Sequence, residues 1–149
     1  MRVTRSGAER FDAAPGFLCH AEFRIDGVLM AVILIVEDDI FIRQNAEWMI
    51  EDLGHNTLIA GDLGEALAHL DAARPIDALF VDIRLSAKAF GGYDVANRAI
   101  KLHPKLRVLY TSGSPLTAEM TGQFVGGGQF LQKPYSHGQL ELSVGALLY

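Results

Sequence analysis

Three consecutive acids, Glu37, Asp38 and Asp39, follow directly on the apolar stretch Ile33 to Val36, so that the sequence reads ILIVEDD. The apolar residues suit a buried β-strand, because they form a hydrophobic run of strand length. Two unit charges about 4 Å apart repel by roughly 1 kcal/mol in water, and by more near a protein surface. Folding gains nothing from this repulsion, so we expect a cation to offset it.

Reactive side chains also stand at the ends of three later apolar stretches: Asp82 after DALFV, Thr111 and Ser112 after LRVLY, and Lys133 after GQFLQ. Taken singly, each has an ordinary structural explanation. Acids after a strand often cap a helix or lie in its first turn, an aspartate can begin a loop, a threonine can be a plain strand residue, and a lysine is usually solvated. Taken together, four of the five predicted strands end in such groups, which favours a common site.

Carboxylates that converge from two strands suit a hard divalent cation, and Mg²⁺ usually binds one or two carboxylates, several waters and a phosphate oxygen. An aspartate beside Mg²⁺, with a lysine and a hydroxyl in reach, can be a nucleophile towards a phosphoryl group. The lysine and the cation would neutralise charge on the phosphoryl oxygens, and the threonine would donate a hydrogen bond. The residue types therefore indicate phosphoryl chemistry at an aspartate.

The elements that must position these residues alternate along the chain. Short apolar runs predict strands, and apolar residues at helical spacing between caps and breakers predict helices. Strands alternating with helices favour a parallel sheet that is covered on both faces. Ligands of such sheets bind at the carboxyl ends of the strands, which is where the reactive residues fall. We predict strands at 32–36, 56–60, 77–82, 106–112 and 128–133, and helices at 40–53, 62–73, 93–103, 118–124 and from 136 to the terminus.

The composition excludes several classes of protein. With 149 residues, 50% of them hydrophobic, the chain can bury one core, which favours one domain. A net charge of −5 argues against a surface that binds DNA directly. Cys19 is the single cysteine, so no disulfide can form within the chain, which fits a reducing cytoplasm. The longest apolar run, Val28 to Val36, is far below the ~20 residues of a membrane span, so we predict a cytoplasmic protein without a membrane partner.

Residues 1–29 differ from the rest of the chain. Their acidic and basic side chains balance, no sustained period of strand or helix is visible, and Pro15 with Gly16 would break any element. We predict that residues 1–29 are a poorly ordered extension of a domain at 30–149, with Met30 as the candidate true start. A short strand or helix that includes AEFRI and docks on the domain is the alternative.

From about residue 31 to the terminus the chain resembles the response-regulator receiver domains of two-component signalling. The motifs ILIVEDD, LFVDIRL, VLYTSG and FLQKPY carry this resemblance, in the order and spacing of that family. It implies a flavodoxin-like α/β fold, which is a doubly wound, five-stranded parallel sheet of order 2-1-3-4-5 with helices on both faces.

The resemblance implies a role for each residue of the acidic site. Asp82 is similar to the phosphoacceptor, Asp38 to the direct Mg²⁺ ligand, and Glu37 to the acidic partner that acts largely through water. The backbone carbonyl of Arg84 would complete the metal shell. Asp39 matches no residue of that site, and we expect it to be a helix N-cap.

Three further residues match positions that sense or transmit phosphorylation. Thr111 resembles the phosphoryl-sensing hydroxyl, and Lys133 its charge partner. Phe130 stands where the family often has an aromatic switch residue that turns inward when the threonine moves. For Phe130 the role of a plain core strand residue is an equal alternative.

The chain departs from the family pattern in two places. Ser86 replaces a usual proline, and SAKAFGG makes the following loop longer. The fourth helix is weak, because Gly122 and the run Gly126 to Gly128 cost about 1 kcal/mol each wherever they fall inside a helix. We expect the segment around this helix to be mobile.

These observations predict a stand-alone phosphoacceptor in a phosphorelay, and not an enzyme beyond its own phosphorylation and dephosphorylation at Asp82. A histidine kinase or a histidine phosphotransfer protein would donate the phosphoryl group. The chain ends one helix after Lys133, so we expect no DNA-binding output domain and a downstream protein target that contacts the last two helices. Whether phosphorylation produces a homodimer is left open.

Three other functions compete with this interpretation. The chain could be a degenerate receiver that only binds proteins, although its set of site residues is complete. It could be an aspartyl-nucleophile phosphatase of the haloacid-dehalogenase type, but Arg84 stands where such enzymes usually have a second acid. It could be a flavin carrier, but three carboxylates after the first strand would repel the flavin phosphate.

Overall fold

The computed structural model describes residues 24–25, 28–85 and 91–149. All five predicted strands and all five predicted helices are present, with ends shifted by two residues or fewer. The strands are β1 (Arg24–Ile25), β2 (Val28–Leu29), β3 (Val32–Val36), β4 (Asn56–Ala60), β5 (Ala78–Asp82), β6 (Arg107–Ser112) and β7 (Gln129–Gln132). The helices are α1 (Ile40–Asp52), α2 (Leu63–Asp71), α3 (Gly91–Leu102), α4 (Ala118–Gln123) and α5 (His137–Leu148).

Strands β3 to β7 form one parallel sheet of order β4-β3-β5-β6-β7. Counting the five predicted strands in chain order, this arrangement is 2-1-3-4-5, so the predicted flavodoxin-like fold is confirmed. The chain moves outward from β3 to β4 and then crosses back to β5 on the other side of β3. The carboxyl ends of β3 and β5 therefore flank the point at which the strand order reverses, where ligands of such sheets bind.

Helices cover both faces of this sheet, as predicted. Successive strand residues point to opposite faces, and the buried side chains accordingly form two clusters. Leu34, Leu79 and Val108 face a core that includes residues of α2 and α3. Ile35 and Phe80 face a second core that includes residues of α1 and α5. Because β3, β5 and β6 are apolar on both faces, they occupy the centre of the sheet.

Three of the helices begin at side-chain caps, one of which is the predicted cap Asp39. Asp39, Asp62 and Ser136 each accept hydrogen bonds from backbone N–H groups in the first turns of α1, α2 and α5. Their side chains satisfy donors that a helix leaves without intrahelical partners. The Asp39 carboxylate is therefore engaged in capping α1, as its lack of a family role suggested.

Several predictions concern segments that the structure describes only in part. Strands β1 and β2 pair in antiparallel fashion, but residues 1–23 lie outside the described ranges, so the extension at 1–29 remains a prediction. The loop at 86–90, which begins with Ser86, also lies outside them. Helix α4 has six residues and buries none of them, and its mobility is still a prediction. No helix within the described ranges is long and apolar enough to cross a membrane.

Candidate metal centre

The candidate site lies at the carboxyl edge of the sheet, because backbone pairing aligns the strand ends there. Asp82, the last residue of β5, pairs in register with Thr111 of β6. Hydrogen bonding continues one residue past two other strands: the Glu37 N–H donates to the Ala60 carbonyl at 3.1 Å, and the Lys133 N–H donates to the Ser112 carbonyl at 2.8 Å. Parallel pairing thus places residues from four strands side by side.

Lys133 joins the acids of two strands. Its Nζ lies 2.6 Å from Glu37 Oε2 and 3.0 Å from Asp82 Oδ2. The three side chains are 16%, 4% and 9% exposed, respectively. Charged hydrogen bonds of this length are strong when they are shielded from water. Lys133 therefore offsets part of the repulsion between the clustered carboxylates.

Asp38 completes a cluster of three carboxylates. One carboxylate oxygen each from Glu37, Asp38 and Asp82 lies within 4.8 Å of the others, with Asp38 exposed and the other two buried. If all three are ionised, three negative charges and the one positive charge of Lys133 leave a formal charge of −2. The donor set is all oxygen, compact and open on the Asp38 side, and so fits a hard divalent cation.

Backbone N–H groups hold the Glu37 and Asp82 carboxylates in position. The Asp39 N–H donates to Glu37 Oε1 at 3.1 Å, and the Arg84 N–H donates to Asp82 Oδ1 at 3.3 Å. The Arg43 guanidinium donates to the Glu37 backbone carbonyl at 3.0 Å, which anchors the acidic segment to α1. Asp82 thus presents a carboxylate fixed through one oxygen by the backbone and through the other by Lys133.

Burial and mutual contact shift the pKa values of Glu37 and Lys133. Burial, helped by the Asp82 charge, raises the pKa of Glu37 to about 7 against the opposing hydrogen bond and charge of Lys133. Burial alone would lower the pKa of Lys133, but hydrogen bonds and charges from Glu37 and Asp82 outweigh it and raise that pKa. Lys133 is therefore charged at neutral pH, whereas Glu37 exchanges its proton near neutrality.

Thr111 brings a hydroxyl beside Asp82. The residue is buried, and its Oγ1 has no hydrogen-bond partner within the described part of the chain. An unsatisfied buried hydroxyl costs about 1–3 kcal/mol. The Thr111 hydroxyl is therefore available to donate to an oxygen placed against Asp82.

Gly92, near the start of α3, is a sterically constrained position beside the site that the sequence did not reveal. A Cβ on this residue would lie 2.2 Å from the Asp82 carbonyl oxygen and 2.6 Å from Ile83 Cα. The Gly92 N–H also donates to the Ile83 carbonyl at 2.9 Å. Helix α3 therefore rests directly on the end of β5, and the signal for this approach was the Gly-Gly pair after the long loop.

Gly92→Ala is expected to destabilise the fold by about 3 kcal/mol, because the added methyl group meets backbone that cannot move aside. Urea unfolding followed by circular dichroism measures the loss. The matched control is Gly122→Ala in α4, where a Cβ meets nothing within 4 Å, and which should be neutral or slightly stabilising. Equal stability of the two variants would contradict the close approach of α3 to β5.

Most of the predicted site residues lie together. Glu37, Asp38, Asp82 and Lys133 form the cluster, and Thr111 adjoins it. The Arg84 backbone adjoins the cluster, because its N–H donates to Asp82 Oδ1. Phe130 lies apart from the cluster: it is half-buried and packs on Phe124, with ring centroids 6.3 Å apart. Its role as a switch residue remains a prediction.

The chain is similar to known proteins in sequence and in fold. The chain is 29% identical over 113 residues to Protein PilG of Pseudomonas aeruginosa, a match that covers 72% of this chain and 80% of PilG. It is also 29% identical over 109 residues to the nitrogen assimilation regulatory protein NtrX of Azorhizobium caulinodans, and this match spans 72% of the chain but only 24% of NtrX. The structure superposes on chemotaxis protein CheY4 of Vibrio cholerae with a TM-score of 0.72 and 25% identity, covering 80% of this chain and 99% of CheY4.

The family model described as "Response regulator receiver domain" matches residues 33–144. This range contains β3 except its first residue, all of β4 to β7 and α1 to α4, and the residues of the acidic cluster. The chain therefore belongs to the response regulator receiver domain family.

Proposed function

We propose that the chain is a phosphoacceptor of a two-component phosphorelay, which takes a phosphoryl group from phosphohistidine onto Asp82 in a Mg²⁺-dependent reaction. One observation carries the proposal. The buried Asp82 carboxylate is held 3.0 Å from Lys133 within a cluster of three carboxylates that fits a divalent cation. Membership of the receiver family supports the same function.

In the proposed reaction a carboxylate oxygen of Asp82 attacks the phosphorus atom, the P–O bond forms, and the P–N bond to the donor histidine breaks. The donor imidazole leaves with the electron pair of that bond. Lys133 binds a phosphoryl oxygen, and Thr111 donates its hydroxyl hydrogen to another. When bound, Mg²⁺ would supply neutralisation of charge on the phosphoryl oxygens, held by Glu37, Asp38, Asp82 and the Arg84 backbone carbonyl.

Incubation with acetyl phosphate and Mg²⁺ tests the proposal. Intact-mass spectrometry should show one added phosphoryl group, absent when the metal is chelated, and hydrolysis of the adduct should return the starting mass. A protein that never gains the adduct under these conditions would instead be the degenerate receiver that only binds proteins. Continuous release of phosphate from phosphomonoesters would favour the phosphatase.

Mg²⁺ affinity is expected to depend on pH through Glu37. Because its pKa is raised to about 7, Glu37 is mostly protonated at lower pH, and binding of a cation must displace that proton. The dissociation constant for Mg²⁺ should therefore fall about tenfold between about pH 6 and about pH 8. Titration calorimetry measures it, and Glu37→Gln should flatten the dependence. An unchanged slope in Glu37→Gln would assign the titration to another group.

An apolar groove beside Lys133 supports a protein as the phosphodonor. Phe41 in the first turn of α1 is 82% exposed. The groove has a volume of about 680 Å³ and is lined by Phe41, Ile42, Asn45, Gly113, Lys133, Pro134 and Tyr135. A small phosphodonor needs no such surface, whereas a protein that brings phosphohistidine to Asp82 must contact the rim of the site.

Phe41→Ala is therefore expected to slow transfer from the phosphorylated histidine kinase or phosphotransfer protein about tenfold, because exposed aromatic anchors often dominate protein contacts. Phosphorylation by acetyl phosphate should be unchanged. The control Leu102→Ala removes a side chain that is also exposed, 48%, but lies at the far end of α3. Equal loss with both phosphodonors would show that Phe41 shapes the site and does not bind the donor protein.

The proposed output is a protein contact made from the cytoplasm, and not direct binding of DNA. The chain carries a net charge of −5, which disfavours a nucleic-acid surface. We place the contact on the surface of α4 and α5, where Leu142 is largely exposed. A homodimer that uses the same surface is compatible with this proposal.

A further inference from the structure

The connection between α4 and β7 is fastened to β6 by one hydroxyl. The backbone N–H of Val125 donates to Tyr110 Oη at 3.0 Å. Tyr110 is fully buried in the core on the α3 side of the sheet. A hydrogen bond between a buried hydroxyl and loop backbone holds that loop in one position, because neither group can turn to water without moving the loop.

Aromatic packing reinforces this contact. The Phe124 ring stacks on Tyr110 with centroids 4.2 Å apart and planes inclined by 13°. Phe130 is the register partner of Tyr110 on β7, and its ring lies 6.3 Å from that of Phe124. Phe124 thus covers the Tyr110–Phe130 pair from outside. We call Tyr110, Phe124, Val125 and Phe130 the aromatic clasp.

The clasp attaches the segment from α4 to Gly128 to the body of the domain. Helix α4 buries none of its residues, although Met120 packs on the core as a half-buried side chain. Gly128 passes so close to the clasp that a Cβ there would lie 2.8 Å from Tyr110 Cε2 and 3.0 Å from the Val125 carbonyl oxygen. The connection therefore fits around the Tyr110 side chain.

Tyr110 is also connected to Asp82 through the next residue of β6, Thr111. Thr111 follows it directly and pairs with Asp82, and its buried Oγ1 has no partner among the described residues. A phosphoryl oxygen that accepts a hydrogen bond from Thr111 would draw this side chain, and with it the end of β6, towards Asp82. Since Tyr110 is the preceding residue of β6, such a displacement would also move its hydroxyl relative to the Val125 amide.

We propose that Tyr110 is a positioning residue that couples phosphorylation of Asp82 to release of the α4–β7 connection, by way of the aromatic clasp. The inference rests on the proposed function of Asp82. In this chain the aromatic residue of β7 is Phe130, which has no hydroxyl, and the hydroxyl that contacts the α4–β7 connection belongs to Tyr110 of β6. The regulated surface is then the segment from α4 to Gly128.

Tyr110→Phe tests the proposal, because it removes Oη and keeps the stacked ring. Hydrogen exchange of the Val125 amide, followed by NMR, is the measurement. Without a phosphodonor, exchange should be about fivefold faster in the variant than in the wild type, as expected for loss of one hydrogen bond. With acetyl phosphate and Mg²⁺ the wild-type amide should accelerate by a similar factor, whereas the variant should show no further change.

Matched controls keep these outcomes distinct. Tyr135→Phe removes a buried hydroxyl in the core on the other face of the sheet and should leave Val125 exchange unchanged in the unphosphorylated protein. If Tyr110→Phe loosens the whole domain, seen as faster exchange in β3 and β5, then Phe124→Leu tests the clasp from its other side: it keeps Oη, removes the stacked ring and should also accelerate Val125 exchange. Equal Val125 exchange in Tyr110→Phe and the wild type overturns the inference. If intact-mass spectrometry shows that the wild type is phosphorylated but exchange of its Val125 amide does not change, the inference about Tyr110 is wrong and the proposed function stands. If the wild type takes up no phosphoryl group, the proposed function is wrong as well.

Discussion

Asp82→Asn is expected to abolish phosphorylation by acetyl phosphate completely, while the domain stays folded. Asparagine has nearly the shape of aspartate, but its amide is not a nucleophile towards phosphorus. The substitution also removes one of the charges that Lys133 now has to offset, so it should not reduce the stability of the metal-free protein. Intact-mass spectrometry after incubation with Mg²⁺ and the phosphodonor measures the result.

Asp39→Asn is the matched control for this experiment. Asp39 belongs to the acidic run Glu37 to Asp39 beside the site, but its carboxylate caps α1 by accepting from the backbone N–H groups of Phe41 and Ile42. Asparagine is an equally good N-cap, so this variant should be phosphorylated like the wild type. A phosphoryl adduct that persists in Asp82→Asn would place the acceptor at another residue, and an adduct that disappears in Asp39→Asn would point to Asp39.

The sheet and the edge that carries the site could be predicted from the sequence. Each of the central strands is apolar on both faces, which is typical of a covered parallel sheet. Once the strands are parallel, their carboxyl ends share an edge, so Glu37, Asp82 and Lys133 have to converge. The family motifs named the same residues, and the 2.6 Å and 3.0 Å contacts of Lys133 agree with that convergence.

The close contacts around that edge could not be predicted, because they depend on how far separate elements approach one another. Gly92 marks a direct contact between α3 and the end of β5, but a glycine in sequence is equally compatible with an ordinary turn. The aromatic clasp likewise requires Phe124 to return over Tyr110 after a six-residue helix. A hydrophobic pattern predicts that such side chains are buried, but not which partner they meet.

Lys133 and a divalent cation can each offset the negative charge of the clustered carboxylates. Lys133 contacts both buried acids, while Asp38 remains exposed at the open side of the cluster. A cation that enters from that side would share Glu37 and Asp82 with the lysine. The stability of the metal-free domain should therefore depend on the lysine much more than that of the loaded domain.

Lys133→Met is expected to lower the free energy of unfolding of the metal-free protein by about 3 kcal/mol near pH 8, because it leaves two buried carboxylates without their counter-charge. Without the lysine, the pKa of Glu37 rises beyond its already raised value. The folded variant then binds protons more tightly than the unfolded chain, so its stability falls as the pH rises. The loss relative to the wild type should accordingly shrink towards about pH 5, where Glu37 is protonated.

Urea unfolding with and without Mg²⁺ measures this loss, and saturating metal should recover part of it because the cation binds the folded state. Lys105→Met, which removes an exposed lysine, should change stability by less than about 0.5 kcal/mol at either pH. If Lys133→Met proved as stable as Lys105→Met near pH 8 without metal, Glu37 and Asp82 would have to be solvated. The acids at the end of β3 would then need no cation, and the physical basis of the metal centre would be lost.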